Sequence, residues 1–136
     1  MEQRQTKGNQ KQNESKFKNQ QFLQYEKVVE LGLWTQVIGQ FIEIKGLSGL
    51  LSLEKDESVA GEQQILTGVW IKTIGQILEA ISVSKQIRET DIIKRLEEQK
   101  VAITGDLLVA IGAALEVDGG IRVLREEKAE TQRIVP

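Results

Sequence analysis

The sequence predicts an all-α protein made of three long antiparallel amphipathic helices, one for each of three 36–37-residue repeats, behind a disordered N-terminal tail. Three observations predict it. One motif recurs three times without gaps. Within each copy the apolar residues fall three and four apart. The only proline is Pro136, and aromatic residues make up only 4% of the chain, which favours helices over a sheet.

The copies align as GLWTQVIGQFIE from Gly32 to Glu43, GVWIKTIGQILE from Gly68 to Glu79, and GDLLVAIGAALE from Gly105 to Glu116. Their common pattern is G-x-[WL]-x-x-x-I-G-x-x-[IL]-E. Seven residues after the second glycine, each copy has another small residue: Gly46, Ser82 and Gly119. A fixed period of this length marks a helical unit that buries its apolar face by stacking on its neighbours.

Taken in chain order, residues 1–20 (MEQRQTKGNQKQNESKFKNQ) are polar, with Phe17 the one large apolar side chain after the start. They bury too little surface to offset the entropy of ordering, so the composition predicts a disordered tail. The first helix is predicted over 21–53. At 100° per residue, Leu33, Trp34, Val37, Ile38, Phe41 and Ile42 fill one broad half of it, and Gly32, Gln36, Gly39, Glu43 and Gly46 the other. The run LEKDESVAGE breaks it, with Asp56 and Ser58 as candidate N-caps for a second helix over 59–88. A second turn falls at 88–91, with Thr90 or Asp91 as cap. The third helix is predicted over 91–118, ended by Gly119-Gly120. The segment IRVLREEKAETQR after it reads equally as a further helical piece. The repeat domain therefore spans 21–128, in copies over about 22–53, 59–88 and 91–125, and 129–136 form a C-terminal tail.

Glycine inside a helix costs about 0.8–1 kcal/mol relative to alanine, so glycines at matched positions need a compensating contact. The heptad-spaced lines Gly32, Gly39, Gly46; Gly68, Gly75, Ser82; and Gly105, Gly112, Gly119 are candidate interfaces, where a second helix can approach closer than the usual 8–10 Å. Glu43, Glu79 and Glu116 lie on the same lines. They read as solvent-facing or as partners in pairs between helices or chains; a catalytic use is disfavoured, because three equivalent carboxylates supply no acid and base of different character. Trp34 and Trp70 share one repeat position and read as core anchors, with an aromatic belt at a membrane surface as the other reading.

The chain has no histidine and no cysteine, so a Ser-His-Asp or Cys-His site and thiolate metal ligation are excluded. No glycine run matches a phosphate-cradling loop. The sequence thus predicts neither catalytic residue, cofactor nor metal. A net charge of −2 gives no general attraction for nucleic acid. The pattern G-x-[WL]-x-x-x-I-G-x-x-[IL]-E, over residues 22–125, resembles that of small repetitive helical proteins of spore-forming Gram-positive bacteria, which have no established activity. The resemblance implies helical repeats and a bacterial source, and brings no site residues.

The expectation is a non-enzymatic structural or protein-interaction protein that self-associates, or docks a protein partner, through its glycine stripes. With no apolar segment of a secretory signal near the start, a cytoplasmic location is expected. A membrane-associated or membrane-spanning protein is the second reading. The segments 31–53 and 101–117 carry few charges, but charges at mid-helix cost several kcal/mol in lipid unless paired.

Overall fold

In the computed structural model, which describes residues 2–54 and 59–134, three α-helices account for nearly all of the chain: α1 (Glu2–Leu53), α2 (Ala60–Arg88) and α3 (Ile92–Ile134). There is no strand among the described residues. Both ends of α2 and the start of α3 fall within a residue or so of their expected places. The second turn is closed by Asp91, whose Oδ1 accepts from the Ile93 N–H at 2.9 Å while its carbonyl accepts from Arg95 at 3.0 Å. Asp91 is therefore the N-cap, satisfying donors that the first helical turn leaves free. The other candidate caps, Asp56 and Ser58, lie outside the described residues.

Two helices are longer than the composition suggests. Residues 2–20 are helical and continue α1, where a disordered tail was expected. All the side chains described there are exposed, so no packing holds them. The physical reason is propagation: the packed part of α1 supplies the nucleus, and Gln, Lys and Glu extend it at one hydrogen bond per residue with no proline to stop them. At the other end, α3 runs through Gly119-Gly120 to Ile134, past both the expected stop and the expected tail at 129–136. Gly119 keeps helical geometry because it is a contact point against α2, and no glycine of the described chain has a positive φ. These glycines provide space; none uses its conformational freedom.

α2 is the central element, antiparallel to both neighbours. Across α1 and α2, Trp34 meets Ser84, Gln36 meets Gln76, and Glu43 meets Lys72. Across α2 and α3, Gly61, Gly68 and Gly75 meet Gly119, Gly112 and Gly105. The backbones of α1 and α3 do not come together, although Arg95 of α3 reaches Glu26 of α1 at 3.7 Å.

The apolar core is small and sits between α1 and α2. Leu33 and Val37 pack on Ala80, with Ile77 and Val83 against them. Along α1 the line that faces α2 advances by alternating fours and threes through Leu33, Val37, Gln40, Ile44 and Leu47. The broad apolar half expected on this helix is therefore only partly used. Trp34, Ile38, Phe41 and Ile42 stay exposed, because a single neighbour covers one narrow line of a helix and nothing covers the rest.

Candidate interaction site

Glycine stripes make the closest contacts in the molecule. On α3 the buried residues, among those described, are Gly105, Gly112 and Gly119 alone. A Cβ added at Gly112 would stand 2.5 Å from the Gly68 carbonyl oxygen and 2.6 Å from the Lys72 nitrogen. At Gly75 it would stand 2.5 Å from the Gly105 carbonyl oxygen. These are backbone atoms that cannot rotate away, so the two helices run closer than the usual axial separation and their Cα–H groups face carbonyl oxygens. The seam consists of Gly61, Gly68 and Gly75 on α2 against Gly119, Gly112 and Gly105 on α3.

Gly61 was absent from the candidate residues. It lies seven residues before Gly68, in line with it, but inside the segment that charge and caps mark as a break. The heptad spacing was the signal that finds it. Ser82 continues the same line and is fully buried, its hydroxyl without a hydrogen-bond partner. The homologous stripe on α1 behaves differently: a Cβ at Gly32, Gly39 or Gly46 would meet nothing within 4 Å.

Polar groups cross the bundle beside the seam. Lys72 Nζ lies 2.9 Å from Glu116 Oε2 and 3.9 Å from Glu43 Oε2, so one ammonium joins carboxylates from α3 and α1. The side chains of Lys72 and Glu116 are only 17% and 20% exposed, and that of Glu43 is 40%. Gln76 Nε2 donates to Gln36 Oε1 at 3.0 Å, and the Trp34 indole N–H donates to Ser84 Oγ at 3.2 Å. The three repeated glutamates thus have three environments: Glu116 paired, Glu43 at the rim of that pair, and Glu79 beside Asp106. Trp34 and Trp70, expected as core anchors, are 38% and 45% exposed. Neither is part of the buried apolar cluster between α1 and α2.

Burial raises the Glu79 carboxyl above its ordinary value of 4.5, and the charge of Asp106 and a hydrogen bond to it add to the effect. A raised carboxylate favours the protonated folded state, so its contribution to stability is full below pH 4.5 and is lost as pH rises through the raised value. Glu79→Gln should therefore melt higher than the parent at pH 7, with the difference shrinking to nothing as pH falls below 4.5. A pH series of thermal melts checks this. A gain that persists unchanged at pH 3.5 would place its origin elsewhere than in the Glu79 charge.

The chain exposes 10,626 Å². A compact monomer of 15.3 kDa exposes about 7,100 Å². Apolar side chains contribute to it: the repeat-matched residues Ile38, Ile74 and Ile111 are 61%, 51% and 45% exposed. Among the described residues no helix is long and apolar enough to cross a membrane, and no group of His, Cys, Asp and Glu is placed to hold a metal ion. A concavity between Trp34, Ile81 and Ser84 and the charged residues Arg88, Lys94 and Glu97 is open to solvent.

No family model matches the sequence, and no curated protein or solved structure matches it either. Fold and site define a class: an elongated three-helix protein with a glycine-packed pair at its centre and uncovered apolar helix faces.

Proposed function

We propose that the chain is a non-enzymatic structural or protein-interaction protein, built from three helical repeats, whose work is to associate with itself or with a protein partner through its glycine stripes and exposed apolar faces. The observation that carries this reading is the set of apolar positions common to all three copies and exposed in all three: Trp34, Trp70 and Leu107, with Ile38, Ile74 and Ile111. Exposed apolar area of this extent marks association surfaces. A cytoplasmic site goes with it, with neither nucleic acid nor a cofactor as ligand. Mid-helix charges such as Glu43 and Lys72 favour water over lipid as the surrounding medium.

The test is crosslinking in the producing cell, followed by fractionation without detergent. The chain should appear in the high-speed supernatant as a discrete crosslinked species with itself or one other polypeptide. Ile42→Glu, Ile74→Glu and Ile111→Glu combined, one on each helix and all at exposed positions, should abolish that species. Recovery only from carbonate-washed membranes, or a crosslinked species indifferent to the triple variant, would overturn the proposal.

A further inference from the structure

We infer that α1 is an intermolecular seam occupied by a second copy of the chain, antiparallel and related by a two-fold axis, in the register by which α2 and α3 pair inside one chain. The inference rests on the interaction reading above and names its partner. Its first ground is an internal template. In α2 and α3 the repeat's glycine lines close on each other, the first repeat glycine of one facing the second of the other: Gly68 on Gly112, Gly75 on Gly105. Gly32 and Gly39 occupy the same two repeat positions on α1, are exposed, and have no neighbour within Cβ reach. Three homologous lines in one chain leave one unmatched, and an identical unmatched line exists on every other copy.

The second ground is the line itself. From Tyr25 to Leu53, α1 carries a row at alternating three- and four-residue steps, through Val28, Thr35 and Ile42 as well as the glycines, on the side of the helix away from its α2-facing row. It holds no charged residue over 29 positions, and every member is exposed, Ile42 at 68%. Such steps form the seam of a paired helix. The one hydroxyl in its middle, on Thr35, already donates to the Leu31 carbonyl at 2.8 Å, so burying it leaves no orphan donor.

Charge selects the register. With Gly32 against Gly39 of the second copy, Gln36 stands where Lys72 stands in the template, and Glu43 of the second copy stands where Glu116 does. The Gln36 amide can then donate to that carboxylate, twice by symmetry. Shifting by seven residues to align Gly39 with its own copy sets Glu43 against Glu43, a like-charge contact.

Sedimentation equilibrium of the full chain should give twice the 15.3 kDa chain mass. Gly39→Leu should raise the dimer dissociation constant about 100-fold or more, because each pair then carries two overfilled sites, while helicity by circular dichroism stays intact, since a Cβ at Gly39 meets nothing within 4 Å. Ile121→Glu, on the exposed side of α3, should leave the mass unchanged. With no native cysteine, Thr35→Cys beside the two-fold axis should form an interchain disulfide. Ile42→Cys should not, its copies lying about 20 Å apart. A monomeric parent, a dimer that survives Gly39→Leu, one lost with Ile121→Glu, or crosslinking through Ile42→Cys as parallel chains would give, overturns the inference. A monomeric parent that still crosslinks to a different polypeptide in the cell leaves the interaction reading standing and removes only this partner.

Discussion

Gly75→Leu is expected to destabilise the fold by about 3 kcal/mol, at the upper end of what overpacking costs, because its Cβ alone would sit 2.5 Å from the Gly105 carbonyl oxygen and 2.9 Å from both Leu108 Cβ and the Val109 nitrogen. For a chain of this size that corresponds to a melting temperature lower by roughly 10 °C. Alanine makes the argument sharper. Gly75→Ala gains about 1 kcal/mol in helix propensity, yet the same Cβ must be accommodated against backbone, so the net change should still be destabilising. At Gly39 the space is open and the propensity gain stands alone, so Gly39→Ala should leave the isolated chain unchanged or slightly more stable. Thermal melts of the four variants, Gly75→Ala and →Leu and Gly39→Ala and →Leu, measured at a concentration where the chains are monomeric, separate the closed seam from the open one. Equal effects at the two positions would refute the assignment of close packing to α2 and α3.

Lys72→Met should cost about 2 kcal/mol. The Lys72 and Glu116 side chains are each about four-fifths buried beside the Gly68 and Gly112 backbones, so removing the ammonium takes from Glu116 and Glu43 the cation that each pairs with among the described residues. Breaking a fully buried pair typically costs about 3–5 kcal/mol, and the residual exposure here scales that down. Removing both charges is a different matter. Lys72→Met with Glu116→Leu should recover most of the loss, since the cost lies in the stranded carboxylate more than in the missing bond. A double-mutant cycle by chemical denaturation measures this. If the double variant is as unstable as the sum of the singles, the pair does not act as a unit.

Much of the architecture was legible in the residues. Periodicity at three and four, with breaks at the charged runs near 54–58 and 88–91, predicts three helices, and short connections predict antiparallel neighbours. The matched glycines pointed to close helix approach, and in α2 and α3 the structure brings those lines together. What periodicity misjudged was the use of the apolar half. Trp34, Ile38 and Phe41 are as hydrophobic as Leu33 and Val37, and their placement differs only because a neighbouring helix covers one row of positions and leaves the next one over bare. The polar ends were misjudged for the opposite reason: composition measures what a segment buries, and residues 2–20 are helical although every side chain described there is exposed, carried by propagation from a packed helix.

The sequence by itself determined the helical elements, their order, and the three homologous small-residue lines, because those depend on local propensity and spacing that each segment carries with it. Which lines meet was decided by the tertiary structure alone. Gly39 and Gly75 are equivalent by sequence, in the same motif at the same position, yet one faces the backbone of α3 at contact distance and the other faces open space. No local feature distinguishes them. The difference arises because α2 has two sides to offer, one taken by the apolar row of α1 through Leu33 and Val37, the other by the glycine row of α3. The row left over on α1 is a property of the assembled bundle.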